Sequence, residues 1–521
     1  MDSQQNQPIS TKTKSVYTPI DTAYAWLSLL FAFLFCQAVP IAGHPLGGFL
    51  VIVGLYVSGF VILRLKKVKI SAVCILSAIS SLLIGSALLL TNARFLIDLS
   101  MAYCLASYCF FLYAALGNRI EDGFSDYIYL DFIKILLVLP FCSYIAIFPA
   151  IFNQSTRRSS LFLLKIIVGI LLAIIPTGLV FLFLSYDSGF MKILDDIFSF
   201  DFIECFHTVV SLFFTLPLAM FGFGLYASSG RKCLHGKMTA ENCDKVLQKT
   251  KILPQLTAVV TVLPILFLYA VFFISQWKYY VSGFTGILPE NFSYAEYARQ
   301  GFFELCAVSV INLILIAAIA FFIKRSKKGT SVILKIVATV FCLCTLILIS
   351  TAVAKLVMYI DHYGLTQKRI YAMWLMGLIA LIFPVIALGQ SFRKIKVVAV
   401  CLTVAIVMFT GLSLCNVNAL CARYNTDRYL AGSLESIDVA AMEDLGDSAI
   451  PSLVRVAIHL NGQDMKKPSD LGSRIHALLD EEIRQRKEEK FSLFAFSVPS
   501  ALADAALKDY TAAFPPASSA P

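Results

Sequence analysis

Apolar runs of roughly twenty residues, each closed by a short cluster of charged or turn-forming residues, recur along most of the chain. About twenty residues rising 1.5 Å each cross a hydrocarbon core of about 30 Å. Ala23–Ile41, Leu46–Leu63, Ile70–Leu90 and Phe95–Leu116 therefore predict four membrane helices. Leu161–Leu184, Cys205–Ser228, Leu253–Gln276, the run ending at Ile323, Val332–Leu356, Tyr371–Leu388 and Val397–Leu414 predict seven more. Tyr127–Phe152 is also long enough to span, yet it carries Asp131, Lys134, Pro140 and Pro149. Two prolines would interrupt a spanning helix, so this segment is expected to be interfacial or re-entrant.

The links between the runs alternate in charge. Lys12 and Lys14 precede the first run, and Arg64, Lys66, Lys67 and Lys69 follow the second. Arg119 lies before the 127–152 segment, and Arg157, Arg158 and Lys165 lie after it. Arg231 to Lys251, Lys324 to Lys328 and Arg393 to Lys396 complete the basic set. The intervening links are poor in Lys and Arg or, like Tyr186–Phe202, acidic. The positive-inside rule then places the N-terminus in the cytoplasm and everything beyond Leu414 outside. The expected organisation is a cytoplasmic tail at 1–22, an all-α polytopic bundle at 23–415, a small helical extracytoplasmic domain at 416–510 and a disordered tail at 511–521. Within the outer part, Pro451 suits the first turn of a helix. Leu471, Ile475, Leu478, Leu479 and Ile483 recur at helical spacing through the charged stretch Ser469–Lys490.

Composition agrees. Hydrophobic residues make up 58% of the 521 positions and charged residues 15%, against about 25% charged in a soluble domain. The net charge of +10 resides in the short loops, the pattern of anionic lipid contact rather than of nucleic acid. Most of the 14 cysteines sit inside apolar runs as small hydrophobes. Cys415 and Cys421 lie close together on the outer side, where a disulfide is permitted.

No phosphate loop, dinucleotide fingerprint, zincin helix or nucleophile elbow is present, and no cofactor is implied. Gly222-Phe-Gly224 lies in a span and reads as helix packing. The candidate chemistry is polar residues converging on the outer face. Glu296, Gln300 and Glu304 recur every fourth residue beside Arg299, forming one stripe that descends into the eighth span. Asp361, Lys368 and Arg369 link the ninth and tenth spans, and Arg423, Asn425, Asp427 and Arg428 follow the eleventh. Such residues also serve as helix-dipole partners, interfacial ion pairs and caps. If they form one site, Glu304 or Asp361 pairs with Arg299, Arg369, Arg423 or Arg428.

The stretches Tyr-Ala-Glu-Tyr-Ala-Arg-x-Gly-Phe-Phe-Glu-Leu (294–305), Tyr-Gly-Leu-Thr-x-x-Arg (363–369), Ala-Arg-Tyr-Asn-Thr-Asp-Arg (422–428) and Leu-Gly-Asp-Ser-Ala-Ile-Pro-Ser-Leu (445–453) are specific. Together they resemble the domain-of-unknown-function 4173 family over about Leu161–Leu453, leaving the first four spans and the charged tail helix outside. The resemblance implies a bacterial multi-pass membrane protein with no established activity and no known cofactor. The expected role is a non-catalytic envelope scaffold or sensor in the bacterial cytoplasmic membrane, its outer face binding a lipid headgroup or an envelope protein. A transporter or flippase using the Glu304 stripe is one alternative. A membrane-embedded transferase with Glu296, Glu304 or Asp361 as base is another.

Overall fold

The computed structural model describes residues 17–38, 44–123, 125–152, 202–233, 239–285, 302–324, 331–392, 395–463, 470–488 and 492–515, with scattered positions between 169 and 190. It is all-α. Ten helices among the described residues are long and apolar enough to cross a membrane, and an eleventh is counted if one bent pair is a single span. The backbone explains this, because in hydrocarbon every N–H and C=O must be satisfied within the segment. The expected span Leu161–Leu184 and the acidic loop after it lie almost wholly outside the described residues.

The first half comprises α1 (Pro19–Ala38), α2 (Pro45–Leu65), α3 (Ala72–Leu90), α4 (Arg94–Ala115), the bent segment and α5 (Phe202–Gly230). Its aromatic core holds Tyr24, Tyr56, Phe111, Tyr113, Phe223 and Tyr226. The amphipathic α6 (Ala240–Thr250) leads to the second half, α7 (Gln255–Thr285), α8 (Phe302–Phe322), α9 (Val332–Tyr363), α10 (Gln367–Ser391) and α11 (Val397–Leu414). α7 runs past Gln276, where the seventh expected run ends, and takes in Trp277–Tyr280. A polar thread joins three of these helices. The Tyr269 hydroxyl donates to Asn312 Oδ1 at 2.6 Å, and Asn312 Nδ2 donates to Thr345 at 2.9 Å. Such interhelical bonds contribute about 0.6–2 kcal/mol in a membrane.

Beyond α11 come α12 (Val417–Leu430), α13 (Val439–Glu443), α14 (Ile450–Gln463), α15 (Asp470–Glu488) and α16 (Val498–Ala513). Pro451 sits in the first turn of α14. Ser497 caps α16 by accepting from the Ser500 N–H. The helix runs past Thr511, where disorder was expected, to Ala513. Tyr510 and Phe514 hold that end against His476, whose ring nitrogen lies 2.7 Å from the Tyr510 hydroxyl. Val417, Cys421, Leu453, Val456, Ile475, Leu479 and Leu507 belong to the same buried cluster as Phe341 and Phe383 of the bundle. One continuous core therefore passes from the bundle into the C-terminal helices.

The bent segment has two limbs, Ile128–Cys142 and Tyr144–Phe152, meeting at 54°. A π-helical turn at Lys134–Val138 precedes Pro140. Its first limb is held near the basic ends of α4 and α5, where Asn118 Nδ2 donates to the Ser229 carbonyl at 2.9 Å. Its far end returns to the first turn of α1, where Thr22 Oγ1 donates to the Ala150 carbonyl at 2.7 Å. Between them, Gly224 lets α5 approach so closely that a Cβ there would collide with the Pro140 carbonyl. Gly222, grouped with it in the sequence, has nothing within 4 Å of its Cβ position and packs against no neighbour there.

Candidate functional site

The turn between α9 and α10 is built around two residues of α12. Gly364 ends α9 at φ +78°, where glycine is favoured, and a Cβ would sit 2.6 Å from Asn425 Oδ1. Asn425 Oδ1 accepts from the Leu365 N–H at 2.6 Å, and its Nδ2 donates to the Leu365 carbonyl at 2.9 Å. Arg369 donates to the Gly364 carbonyl, and its guanidinium lies 4.3 Å from the Tyr359 ring centre. Arg428 donates to the Ile360 carbonyl at 3.4 Å and the Ser433 carbonyl at 3.3 Å, and pairs with Asp361 at 3.5 Å. The Tyr424 hydroxyl donates to the same Asp361 oxygen at 3.4 Å. Asp427 joins α12 to α14 through Arg455 at 2.9 Å and also meets Arg423 at 3.6 Å. At these lengths and exposures the ion pairs are worth little individually. The bonds from Asn425 and Arg369 to backbone carry the geometry.

Two of the three polar clusters therefore meet, through the pair Asp361–Arg428 that was among those expected. Of the third only Glu304 is described, and among the described residues it forms no ion pair with Arg369, Arg423 or Arg428. Glu304 lies in the first turn of α8 with its side chain exposed, where the helix dipole favours an acid. Among the described residues, Lys355 of α9 is the charge that lies near it. Glu296, Arg299 and Gln300 lie outside the described residues. Lys368 is exposed. Cys415 and Cys421 are both free thiols, the first exposed and the second buried.

The 445–453 motif forms a second lock. Asn92, between α3 and α4, donates to the Leu445 carbonyl at 2.7 Å and accepts from Ser448 at 2.6 Å and Asn418 at 3.0 Å. Gly446 adopts φ +58° with Asn92 Nδ2 2.8 Å from its Cβ position. Nearby, Arg486 of α15 is shared by Asp447, Glu482 at 2.8 Å and Asp504. Its side chain is 17% exposed, so this network is more sheltered than a surface pair.

Sequence reasoning missed a third cluster, at the basic end. Asp131 is fully buried and Lys134 nearly so. The Tyr113 hydroxyl sits against both Asp131 Oδ1 and the Asn118 carbonyl, and the Ile120 N–H donates to the same carboxylate oxygen at 3.2 Å. Lys134 Nζ donates to the Asn118 carbonyl at 3.1 Å. Asp131 Oδ2, Arg119 Nε and the hydroxyls of Ser228 and Ser229 are buried without a hydrogen-bond partner. The signal was two opposite charges three residues apart in an apolar run, read only as an argument against a span. Beside this cluster, Glu121 accepts from Ser125 and pairs with Lys396 at 3.2 Å. The Ser125 bond first, then Lys396, holds its carboxyl below the usual range. No group of three His, Cys, Asp or Glu side chains among the described residues is placed to hold a metal ion.

One family model, described as a domain of unknown function (DUF4153), matches residues 78–456. The match begins inside α3, so it takes in part of the N-terminal spans that the motifs alone had left out; it carries the number 4153, and the name 4173 is not confirmed by it. No curated protein and no solved structure matches.

Proposed function

The chain belongs to the DUF4153 family, and we propose that it is a non-catalytic scaffold of a bacterial cytoplasmic membrane. Its N-terminus lies inside, and its C-terminal helices are presented rigidly on the outer face to a lipid headgroup or an envelope protein. One observation carries this reading. The polar atoms of Arg369, Asn425 and Arg428 are spent on the backbone of Gly364, Leu365, Ile360 and Ser433. A site built to bind or turn over a solute would aim them into an open cleft instead. The transferase reading loses support on the same ground, because Asp361 is engaged by Arg428 and Tyr424.

A transport reading draws on a different observation, the unpartnered Asp131 Oδ2 inside the bent segment. Intramembrane acids of this kind serve proton and ion relays. The polar path would then run by Asp131 and not along the Glu304 stripe. Complementation of a deletion strain separates the two readings. The scaffold reading expects charge reversal of the exposed Lys368 and Arg423 to abolish complementation at unchanged membrane abundance, with Asp131→Asn still complementing. The opposite pattern would overturn it.

A further inference from the structure

The turn between α15 and α16 carries an apolar surface that takes no part in the polar clusters. Leu493, Phe494 and Phe496 are 63, 53 and 48% exposed, and Ala495 between them is exposed as well. The charged helix α15 precedes them, and Ser497, the cap of α16, follows. Isolated exposed apolar residues are ordinary, but large ones crowded into one turn beside polar sequence mark a protein or membrane contact.

The turn is braced from two sides. Arg486, near the end of α15, pairs with Asp504 of α16, so the helices that carry the turn are tied together beside it. On the bundle side Phe494 lies against the first turn of α2, its Cβ 3.6 Å from the Cβ position of Gly47.

That contact identifies what meets the three side chains. Leu50, Val57, Val61 and Leu65 are exposed along α2. At about 100° per residue they fall in one sector of about 80°, and Gly47 falls in it too. On a membrane helix an exposed apolar sector faces acyl chains. The 21 residues of α2 rise about 31 Å, against a hydrocarbon core of about 30 Å. Its first turn therefore stands at the hydrocarbon boundary, with Arg64 at the opposite end. Phe494 thus heads the lipid-facing stripe of α2, and the exposed turn continues that surface outward from the bundle. We propose that Leu493, Phe494 and Phe496 form an interfacial wedge, inserted among the acyl chains at the end of α2 away from Arg64, which pins α15 and α16 to the bilayer. The wedge recognises apolar lipid and not a headgroup, and it is the same whichever side of the membrane that end faces.

The test uses the unmodified full chain, one copy per nanodisc, in phosphatidylcholine with a diazirine placed near the ester end of the acyl chain. Labelled residues are located by mass spectrometry, and a parallel sample is exposed to hydroxyl radicals generated in the water. Phe494 and Phe496 should take up acyl label as readily as the lipid-facing Leu50. They should be oxidised about tenfold more slowly than in the denaturant-unfolded chain, a factor that burying one such side chain supplies. Oxidation at the unfolded-chain rate would place the turn in water and overturn the proposal. A turn reached by neither reagent would be covered by the chain's own residues, which overturns it equally. Leu493→Asp with Phe496→Asp alters the two side chains that make no contact with Gly47. It should bring Phe494 oxidation up to the unfolded-chain rate while acyl labelling of Leu50 is unchanged. Phe494 still labelled by lipid and protected from water in a monodisperse double variant would overturn the joint insertion of the three.

Discussion

Asn425 grips the Leu365 peptide on both sides, accepting from its N–H at 2.6 Å and donating to its carbonyl at 2.9 Å. In effect a side-chain amide of α12 replaces the backbone partner that Leu365 loses where α9 ends. Leu365 is 8% exposed, so water cannot substitute.

Asn425→Ala should therefore lower stability by on the order of 2–4 kcal/mol, since a buried unsatisfied polar group costs about 1–3 kcal/mol. Asn425→Asp keeps the acceptor but sets a second oxygen against the Leu365 carbonyl, and should not rescue it. Thermal unfolding in detergent reads both, and a loss below about 0.5 kcal/mol for the alanine variant would be surface-like behaviour inconsistent with the grip.

Gly364→Ala and Gly432→Ala form an internal control. Both positions have positive φ, +78° and +71°, and Gly364, with ψ −179°, also lies in a region essentially confined to glycine. Only at Gly364 does the new Cβ meet a neighbour, Asn425 Oδ1 at 2.6 Å, while Gly432 has open space. Gly364→Ala should be clearly the more destabilising. Equal midpoints would show that neither the Asn425 contact nor the extended backbone at Gly364 sets it apart from Gly432.

The thiols of Cys415 and Cys421 should differ in reactivity. Cys421 is 1% exposed, and burial pushes its thiol up to about 12, whereas Cys415 is exposed. The thiolate is the nucleophile, so at pH 8 iodoacetamide should modify Cys415 readily and reach Cys421 only after unfolding. Comparable rates, or a peptide joining the two through a disulfide, would contradict this arrangement.

The bent segment attaches through both limbs to helix termini of one side, by Lys134–Asn118 and Thr22–Ala150. Single cysteines at Asp122 and Phe152, both exposed, should then react from the same side with an impermeant maleimide. Labelling from opposite sides would make the segment a true span and reverse the loops that follow.

Removing the Asp131 side chain strands the Ile120 N–H and leaves the buried Lys134 without its opposite charge. Asp131→Ala should cost on the order of 3–5 kcal/mol, as expected when one member of a buried charge pair is lost. Combining Asp131→Asn with Lys134→Met should recover most of it, read as coupling in a double-mutant cycle. Additive losses would mean that the two charges do not compensate each other.

The helices were legible because hydrocarbon leaves the backbone no choice: an apolar run of spanning length is a helix whatever it packs against. The ten described spans match the apolar runs read from the sequence, and the turn at Tyr363-Gly-Leu-Thr and the α14 proline were equally local signals. Partnership of polar atoms was not local. Glu304 and Asp361 look alike in sequence, yet one is exposed at a helix start and the other meets Arg428, a difference set by how α9 and α12 cross. Gly222 and Gly224 are two residues apart, but a helix turns about 200° between them, so one meets Pro140 and the other faces open space. Asp131 and Lys134 read as obstacles to a span until α4 and α5 enclosed them. Hydropathy along the chain determined which segments are helices. Their depth and rotation against one another, fixed only by tertiary packing, decided which side chains meet.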